Sequence, residues 1–320
     1  MTSKNSVKSA LVITGLGFGT ALGIALGALV LAPNMTGVQG SGSGDPIREE
    51  HRRLLVENQG LQDEVGAADS LIEELGATSL AGTLTSRPVM VIATGDASER
   101  DVKGVRKQLD NAGATDAGTI TLSNEFFHPG GADRLKSIIA NALPAGAQLS
   151  EKDLAAGTHS GQALAAALLL DPQTVSPYAS VEDRAALLEA LNKDGYLSYE
   201  SGTIIPAQAV VIVTGRGGDE YYTDNAVKFI NAFDAAGTYT VVVGRSQAAE
   251  EGGVLDILRS KSEAGVVKPS GQISTVDPID RDFAQFATAL AVFEQLNGGA
   301  GNYGIADGVD AVAPPLPHQS

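Results

Sequence analysis

The apolar positions of the first 75 residues form two helical patterns of different kinds. Residues 9–32 include no charged residue, and a helix that rises about 1.5 Å per residue over such a run crosses about 30 Å of hydrocarbon. We therefore predict a transmembrane helix over residues 9–32, after a cytoplasmic tail of residues 1–8. Pro33 ends the span, and residues 33–46 form a predicted linker.

The basic residues predict the orientation of this span. Lys4 and Lys8 precede it, and the next basic residue is Arg48. By the positive-inside rule, the amino terminus lies in the cytoplasm and the rest of the chain is extracytoplasmic. A cleavable signal peptide is the alternative, but the apolar run exceeds the usual length of such a segment, and Pro33 follows the small-residue site at 30–32.

Glycine recurs at every fourth position of the predicted span, at Gly15, Gly19, Gly23 and Gly27. These residues lie on one helix face as overlapping G-x-x-x-G units, which allow two backbones to approach closely in lipid. The spacing favours pairing of two transmembrane helices. Glycine is also common in membrane helices generally, which is the alternative explanation.

Residues 47–75 carry a heptad repeat, with seam positions at alternating steps of four and three. The seam comprises Ile47, His51, Leu54, Asn58, Leu61, Val65, Ala68, Ile72 and Leu75. This pattern predicts a parallel two-stranded coiled coil in which Asn58, at an a position, pairs with its twin. Gly60 and Gly66 weaken the helix by about 1 kcal/mol each, and a solitary amphipathic helix lying on the next domain is the alternative.

After a second predicted linker of residues 76–86, strands alternate with helices. A strand at 89–93 precedes a helix at 98–111 and a strand at 119–122, and this order recurs after residue 210. In the second copy, Val211 to Gly215 matches Val91 to Gly95. We therefore predict an α/β fold, a Rossmann-like doubly wound parallel sheet over residues 87–300.

The remaining pattern predicts four further helices and a tail. The helices cover residues 133–141, 161–170, 181–191 and 281–296. Residues 301–320 are predicted to form a C-terminal tail, because its Pro314 to Pro317 run cannot pack as a helix or strand.

Ligands of open parallel sheets bind at the carboxyl ends of the strands, which directs attention to two loops. The candidate ligand-binding residues there are Thr94, Gly95, Asp96, Thr214, Gly215 and Arg216. The second loop resembles a glycine-rich anion cradle, but it lacks the complete fingerprint of a nucleotide-binding loop. The sequence favours tight turns over a phosphate or glycan site here, with Asp96, Asp219 and Glu220 as helix caps or first-turn residues.

Composition excludes several classes of function. A net charge of -16 without a cluster of basic residues argues against nucleic-acid binding. The absence of cysteine excludes thiolate catalysis, and the isolated His128 and His159 suit surface or capping roles better than catalysis or metal binding. We predict a non-enzymatic protein without a cofactor, and the sequence contains no recognisable metal-ligand cluster.

Several segments together resemble the actinobacterial MctB-type copper transporter family. They are the anchor and heptad segment, the runs 122–127, 143–149 and 161–165, and the ending Gly301 to Asp310. The resemblance covers nearly the whole chain. It implies a protein of the mycolic-acid-bearing envelope, identified in that family as a pore-forming copper exporter of the outer membrane.

The resemblance extends to a second branch, the SteB-like corynebacterial proteins. It implies a role in daughter-cell separation and control of peptidoglycan hydrolysis, together with a SteA-like membrane protein. From the sequence we predict a single-pass, homodimeric scaffold of the cell membrane that acts in this way, with a peptidoglycan hydrolase or its regulator as a further partner. The alternative is copper transport and copper homeostasis, and copper as a ligand rests on the resemblance alone.

Overall fold

A computed structural model describes residues 44–237, 239–263 and 273–317. The predicted transmembrane helix at 9–32, with its four glycines, lies outside the described residues. None of the helices within the described ranges has the length and apolar character needed to cross a membrane.

Helices and strands alternate along most of the described chain. The helices are α1 (Gly44–Leu80), α2 (Glu99–Asn111), α3 (Ala132–Asn141), α4 (Ala156–Leu168), α5 (Val181–Lys193), α6 (Glu220–Asp234), α7 (Val254–Glu263) and α8 (Asp282–Leu296). The strands are β1 (Pro88–Ala93), β2 (Thr115–Leu122), β3 (Leu197–Tyr199), β4 (Ala209–Thr214), β5 (Tyr239–Gly244), β6 (Ser274–Val276) and β7 (Asn302–Tyr303). Short 3-10 helices cover Asn124–Phe126, Pro129–Gly131 and Ser246–Ala249.

The strands form one seven-stranded sheet in the order β3-β2-β1-β4-β5-β6-β7. Strand β3 is antiparallel to β2, and every other neighbouring pair is parallel. This confirms the predicted α/β class. The order 3-2-1-4-5-6 is that of doubly wound sheets, in which the direction of winding reverses between β1 and β4.

Apolar side chains fill both faces of the sheet. Met90 and Ile92 of β1 pack into a core with helices α3 to α7, whereas Val89 and Val91 pack into a second core with α2 and α8. Side chains of a strand alternate between its faces, so a strand buried on both sides is a continuous apolar run. This explains why the short runs of the sequence correctly predicted the central strands.

Helix α1 covers the whole predicted coiled-coil segment of residues 47–75 and continues into the predicted linker of residues 76–86. The chain stays ordered there because Leu80 and Leu84 are fully buried against α2 and α8. The burial of these two leucines therefore stabilises a segment that was predicted to be a linker because it is rich in small and hydroxyl residues.

The chain divides into two compact units, residues 1–68 and 69–320, and the boundary falls within α1. We call residues 48–68 the first part of α1 and residues 69–80 its last part. In the first part, Leu61 is 48% exposed and Val65 is 39% exposed. The side chain of Asn58 accepts a hydrogen bond from Gln62 of its own helix at 2.9 Å.

Other predicted seam residues are less exposed or fall outside the described side chains. Leu54 in the first part and Ile72 in the last part are half-buried. Leu75 is helical, and its side chain lies outside the described ones. The pairing of two such helices stays a prediction.

The C-terminal residues differ from the predicted tail of residues 301–320. Strand β7 pairs with β6, and Pro314 is buried. A buried ion pair explains this order: the Arg259 guanidinium donates to the Asp277 carboxylate, and both residues are almost completely buried. The backbone amide of Ala306 donates to the same carboxylate at 3.1 Å. The final segment is therefore held in place because its backbone amide hydrogen-bonds to the buried carboxylate of this ion pair.

Candidate functional site

The two candidate loops meet at the carboxyl ends of β1 and β4. These strands are neighbours, with Ala93 opposite Val213, so Thr94 and Thr214 leave the sheet side by side. Both threonines continue the face that carries α6, because side chains two positions apart share a face of a strand. The structure thus places the candidate residues at the point where doubly wound sheets bind ligands.

The carboxylate of Asp96 is hydrogen-bonded to backbone amides of the second loop. It accepts hydrogen bonds from the backbone N–H of Gly217 at 2.7 Å and of Gly215 at 3.3 Å. The hydroxyl groups of Thr94 and Tyr222 donate to the same carboxylate, at 2.5 and 3.2 Å. A glycine-rich loop that could bind an external anion therefore binds a side chain of its own fold.

Close backbone contacts require glycine at two of the candidate positions. A Cβ atom on Gly215 would lie 2.1 Å from the carbonyl oxygen of Asp96, and one on Gly95 would lie 2.5 Å from the backbone nitrogen of Asn124. Contacts this short exclude any side chain. Gly215 therefore serves the packing of the two loops against each other, and Gly95 serves the packing of the first loop against the residues after β2.

Tyr222 is a buried donor to this cluster. Burial raises the pKa of its phenol, and the nearby negative charge of Asp96 raises the pKa further. The hydroxyl therefore stays protonated and donates at neutral pH. Because its folded pKa lies above the unfolded value, the stability it contributes is present at neutral pH and is lost only as the pH rises above about 10.

The other residues of the second loop cap a helix or face solvent. Asp219 is the N-cap of α6, and its carboxylate accepts a hydrogen bond from the backbone N–H of Tyr222 at 2.9 Å. This confirms the predicted capping role. Arg216 is exposed, and the hydroxyl of Thr214 is buried without a hydrogen-bond partner. Four donors hold the Asp96 carboxylate.

The two histidines of the α/β domain have structural roles. His128 caps a 3-10 helix, because its Nδ1 accepts a hydrogen bond from the backbone N–H of Gly130 at 3.2 Å. His159 is buried, and its Nε2 donates to the carbonyl oxygen of Ser150 at 2.9 Å. The capping role predicted for His128 is confirmed, whereas His159 is an internal clamp on the loop before α4.

Across the described parts of a single chain, no group of three or more histidine, cysteine, aspartate or glutamate side chains is arranged to hold a metal ion. Sequence reasoning missed the buried pair of Arg259 and Asp277. The signal that could have found it is the run Gly301 to Asp310, which surrounds that pair. Gly304 within it has a φ of 128°, and a Cβ there would lie 2.2 Å from the carbonyl oxygen of Asp277.

Comparison with known proteins covers almost the whole chain. A family model described as "Copper transport outer membrane protein, MctB" matches residues 7–314. The protein named Copper transporter MctB in Mycobacterium tuberculosis is 29% identical over 307 residues, which cover 90% of this chain and 96% of the relative. The protein of the same name in Mycobacterium leprae is 30% identical over 236 residues, covering 71% of this chain and 73% of the relative.

The bounds of the family match include the segments that carry the resemblance and the residues that hold Asp277. The family match extends from the predicted anchor through both units of the chain to the end of the sheet. This chain belongs to the MctB family of copper transport outer membrane proteins.

Proposed function

We propose that this protein is a non-enzymatic component of copper transport and copper homeostasis in the cell envelope. The observation that carries the proposal is the family match over residues 7–314, together with relatives named Copper transporter MctB. A match of this extent covers the predicted anchor, α1 and the α/β domain. The proposal therefore concerns the whole chain.

The geometry of the crevice supports a role other than catalysis. In doubly wound enzymes, this crevice holds the cofactor or substrate. Here the Asp96 carboxylate occupies the amides of Gly215 and Gly217, and the backbones of the two loops are in direct contact. In this proposal, the α/β domain acts by presenting its surface to other molecules.

The proposed location is the cell membrane, with residues 9–32 as a single anchor and the α/β domain outside the cytoplasm. The charge-free run and the lysines before it support this topology. The family description instead names the outer membrane. Fractionation of the two membranes with an antibody against the α/β domain distinguishes the two locations.

The proposed assembly is a homodimer through the first part of α1. The heptad spacing and the exposure of Leu61 and Val65 support it, because seam residues of this spacing are buried when two identical helices pack together. Asn58 lies in the same seam and selects a parallel pair in register. The occupant we propose is therefore a second copy of this chain.

Copper tolerance of a strain that lacks the gene tests the proposed function. We expect growth to stop at a lower copper concentration than in the parent strain, and the wild-type gene to restore tolerance. Zinc tolerance serves as the control for general envelope damage. Unchanged copper tolerance at matched growth rate would remove the proposal.

The resemblance to the SteB-like branch implies a second candidate function, a dimeric scaffold in cell separation, and the exposure of Leu61 and Val65 supports the dimer that it requires. In this proposal, the paired helices present a surface to a SteA-like membrane protein and, through it, to a peptidoglycan hydrolase or its regulator. The substitution Asn58→Asp places like charges across the seam and should convert the dimer to monomer in sedimentation velocity. If cells that carry this monomeric variant still separate normally at ordinary copper levels, the scaffold does not act through the dimer.

A further inference from the structure

His51 occupies an unusual position in the heptad seam. It lies seven residues before Asn58 and fourteen before Val65, so these three residues share the a position. The imidazole of His51 is exposed on α1. Within the described ranges, the structure shows no hydrogen bond or ion pair of this ring, which is therefore available to a second copy.

A parallel dimer would bring two copies of His51 into one layer. Helix axes in such pairs lie about 8–10 Å apart, and each a side chain inserts between four residues of the facing helix. One of those four is the residue that precedes the facing a position, which here is Glu50. The layer therefore contains two imidazoles and two carboxylates, one pair from each chain.

The charges around this layer leave Glu50 available as a ligand. Its neighbour Glu49 forms an ion pair with Arg52 at 2.9 Å on the outer surface of α1. Arg48 and Arg53 complete the basic residues of this turn. In the part of the chain that the structure describes, Glu50 has no recorded ion pair, and its side chain is exposed.

We propose that His51 and Glu50 of two paired chains form a Cu²⁺ site. The inference rests on the dimer described under Proposed function and names a copper site for it. A tetragonal set of nitrogen and oxygen ligands suits Cu²⁺, which also binds such sites more tightly than the other divalent first-row metals. The site requires two chains, which agrees with the absence of a metal-ligand group in the described residues of one chain.

The test uses the full-length protein in detergent, purified without a polyhistidine tag. Sedimentation velocity measures the mass of the protein, and titration with CuSO₄ followed by calorimetry and electron paramagnetic resonance measures the bound copper. We expect one Cu²⁺ for two chains, with nitrogen hyperfine structure from two equivalent imidazoles. A dimer that binds no Cu²⁺ would overturn the inference and leave the dimer intact.

Matched variants identify the ligands. The substitution His51→Asn keeps a polar residue that pairs across the seam, so the dimer should persist while the dissociation constant for Cu²⁺ rises more than about tenfold. Glu50→Gln should weaken binding in the same direction, and its neighbour Glu49→Gln should not. His128→Ala removes an exposed imidazole from the α/β domain and should leave the stoichiometry unchanged.

The outcomes separate this inference from the proposed function. A dimeric His51→Asn variant that binds Cu²⁺ as tightly as the wild type would overturn the site. A wild-type protein that is monomeric throughout would overturn both the site and the dimer. The role in copper homeostasis is judged independently, by the copper tolerance of the deletion strain.

Discussion

The first and last parts of α1 differ in what covers their apolar side chains. In the first part, Leu61 and Val65 face solvent, whereas in the last part Leu80 is fully buried against α2 and α8. Gly76 marks the same change, because it is buried beside the ring of Phe286. The comparison shows that one helix can bury the apolar side chain of Leu80 within the α/β domain and leave Leu61 and Val65 exposed.

Truncation of one leucine in each part should give the largest contrast. Leu80→Ala removes a fully buried side chain and should lower the free energy of unfolding of the α/β domain by about 2–5 kcal/mol. Leu61→Ala should leave that value unchanged and weaken the dimer. All seven tyrosines follow residue 68, so tyrosine fluorescence during urea unfolding reports on the α/β domain alone. Equal effects of the two substitutions would break the comparison.

Glycine substitutions in the two parts should have effects of opposite sign. A Cβ on Gly76 would lie 2.9 Å from Cδ2 of Phe286, so Gly76→Ala should destabilise the protein by about 1–3 kcal/mol. A Cβ on Gly66 meets nothing within 4 Å, and Gly66→Ala should stabilise the helix by about 1 kcal/mol. Thermal unfolding followed by far-ultraviolet circular dichroism measures both changes. A change in stability of the same sign for both variants would contradict the burial of the last part of α1 against the α/β domain.

The ion pair between Asp69 and Arg281 should give the smallest effect. Two guanidinium nitrogens lie 3.0 and 3.2 Å from one carboxylate oxygen of Asp69, at the start of the last part. The pair is partly exposed, so a double-mutant cycle of Asp69→Asn and Arg281→Gln should give a coupling of about 0.2–1 kcal/mol. A coupling of zero would mean that burial of Leu80 alone fixes this end of the helix.

Much of the α/β fold follows from local pattern in the sequence. The apolar strand at Val89 and its repeat at Val211 predict central strands, because burial on both faces requires continuous apolar side chains. The linker before β1 and the tail after α8 were predicted less well. Small residues near Leu80 and the prolines near Pro314 resemble linkers locally, and distant packing decides their structure.

The sequence predicted where the candidate site lies but not which group binds the amides of its second loop. The strand ends that precede Gly95 and Gly215 predicted that their loops would meet. The occupation of the second loop by Asp96 depends on a contact across 121 residues of sequence. Nothing in the spacing of Asp96 distinguishes a carboxylate that caps its own helix from one that reaches a neighbouring loop.

The clamp around Asp277 has a consequence for the order in which the protein can fold. The buried carboxylate needs the amides of Ile305 and Ala306, and the guanidinium of Arg259 needs the carbonyl oxygen of Tyr303. The two amides follow Asp277 by 28 and 29 residues, and the carbonyl group follows Arg259 by 44 residues. The sheet can therefore close at β6 and β7 only after residues 302–306 have been synthesised, so a chain stalled before residue 303 leaves the edge of β6 open and the Asp277 carboxylate without these donors.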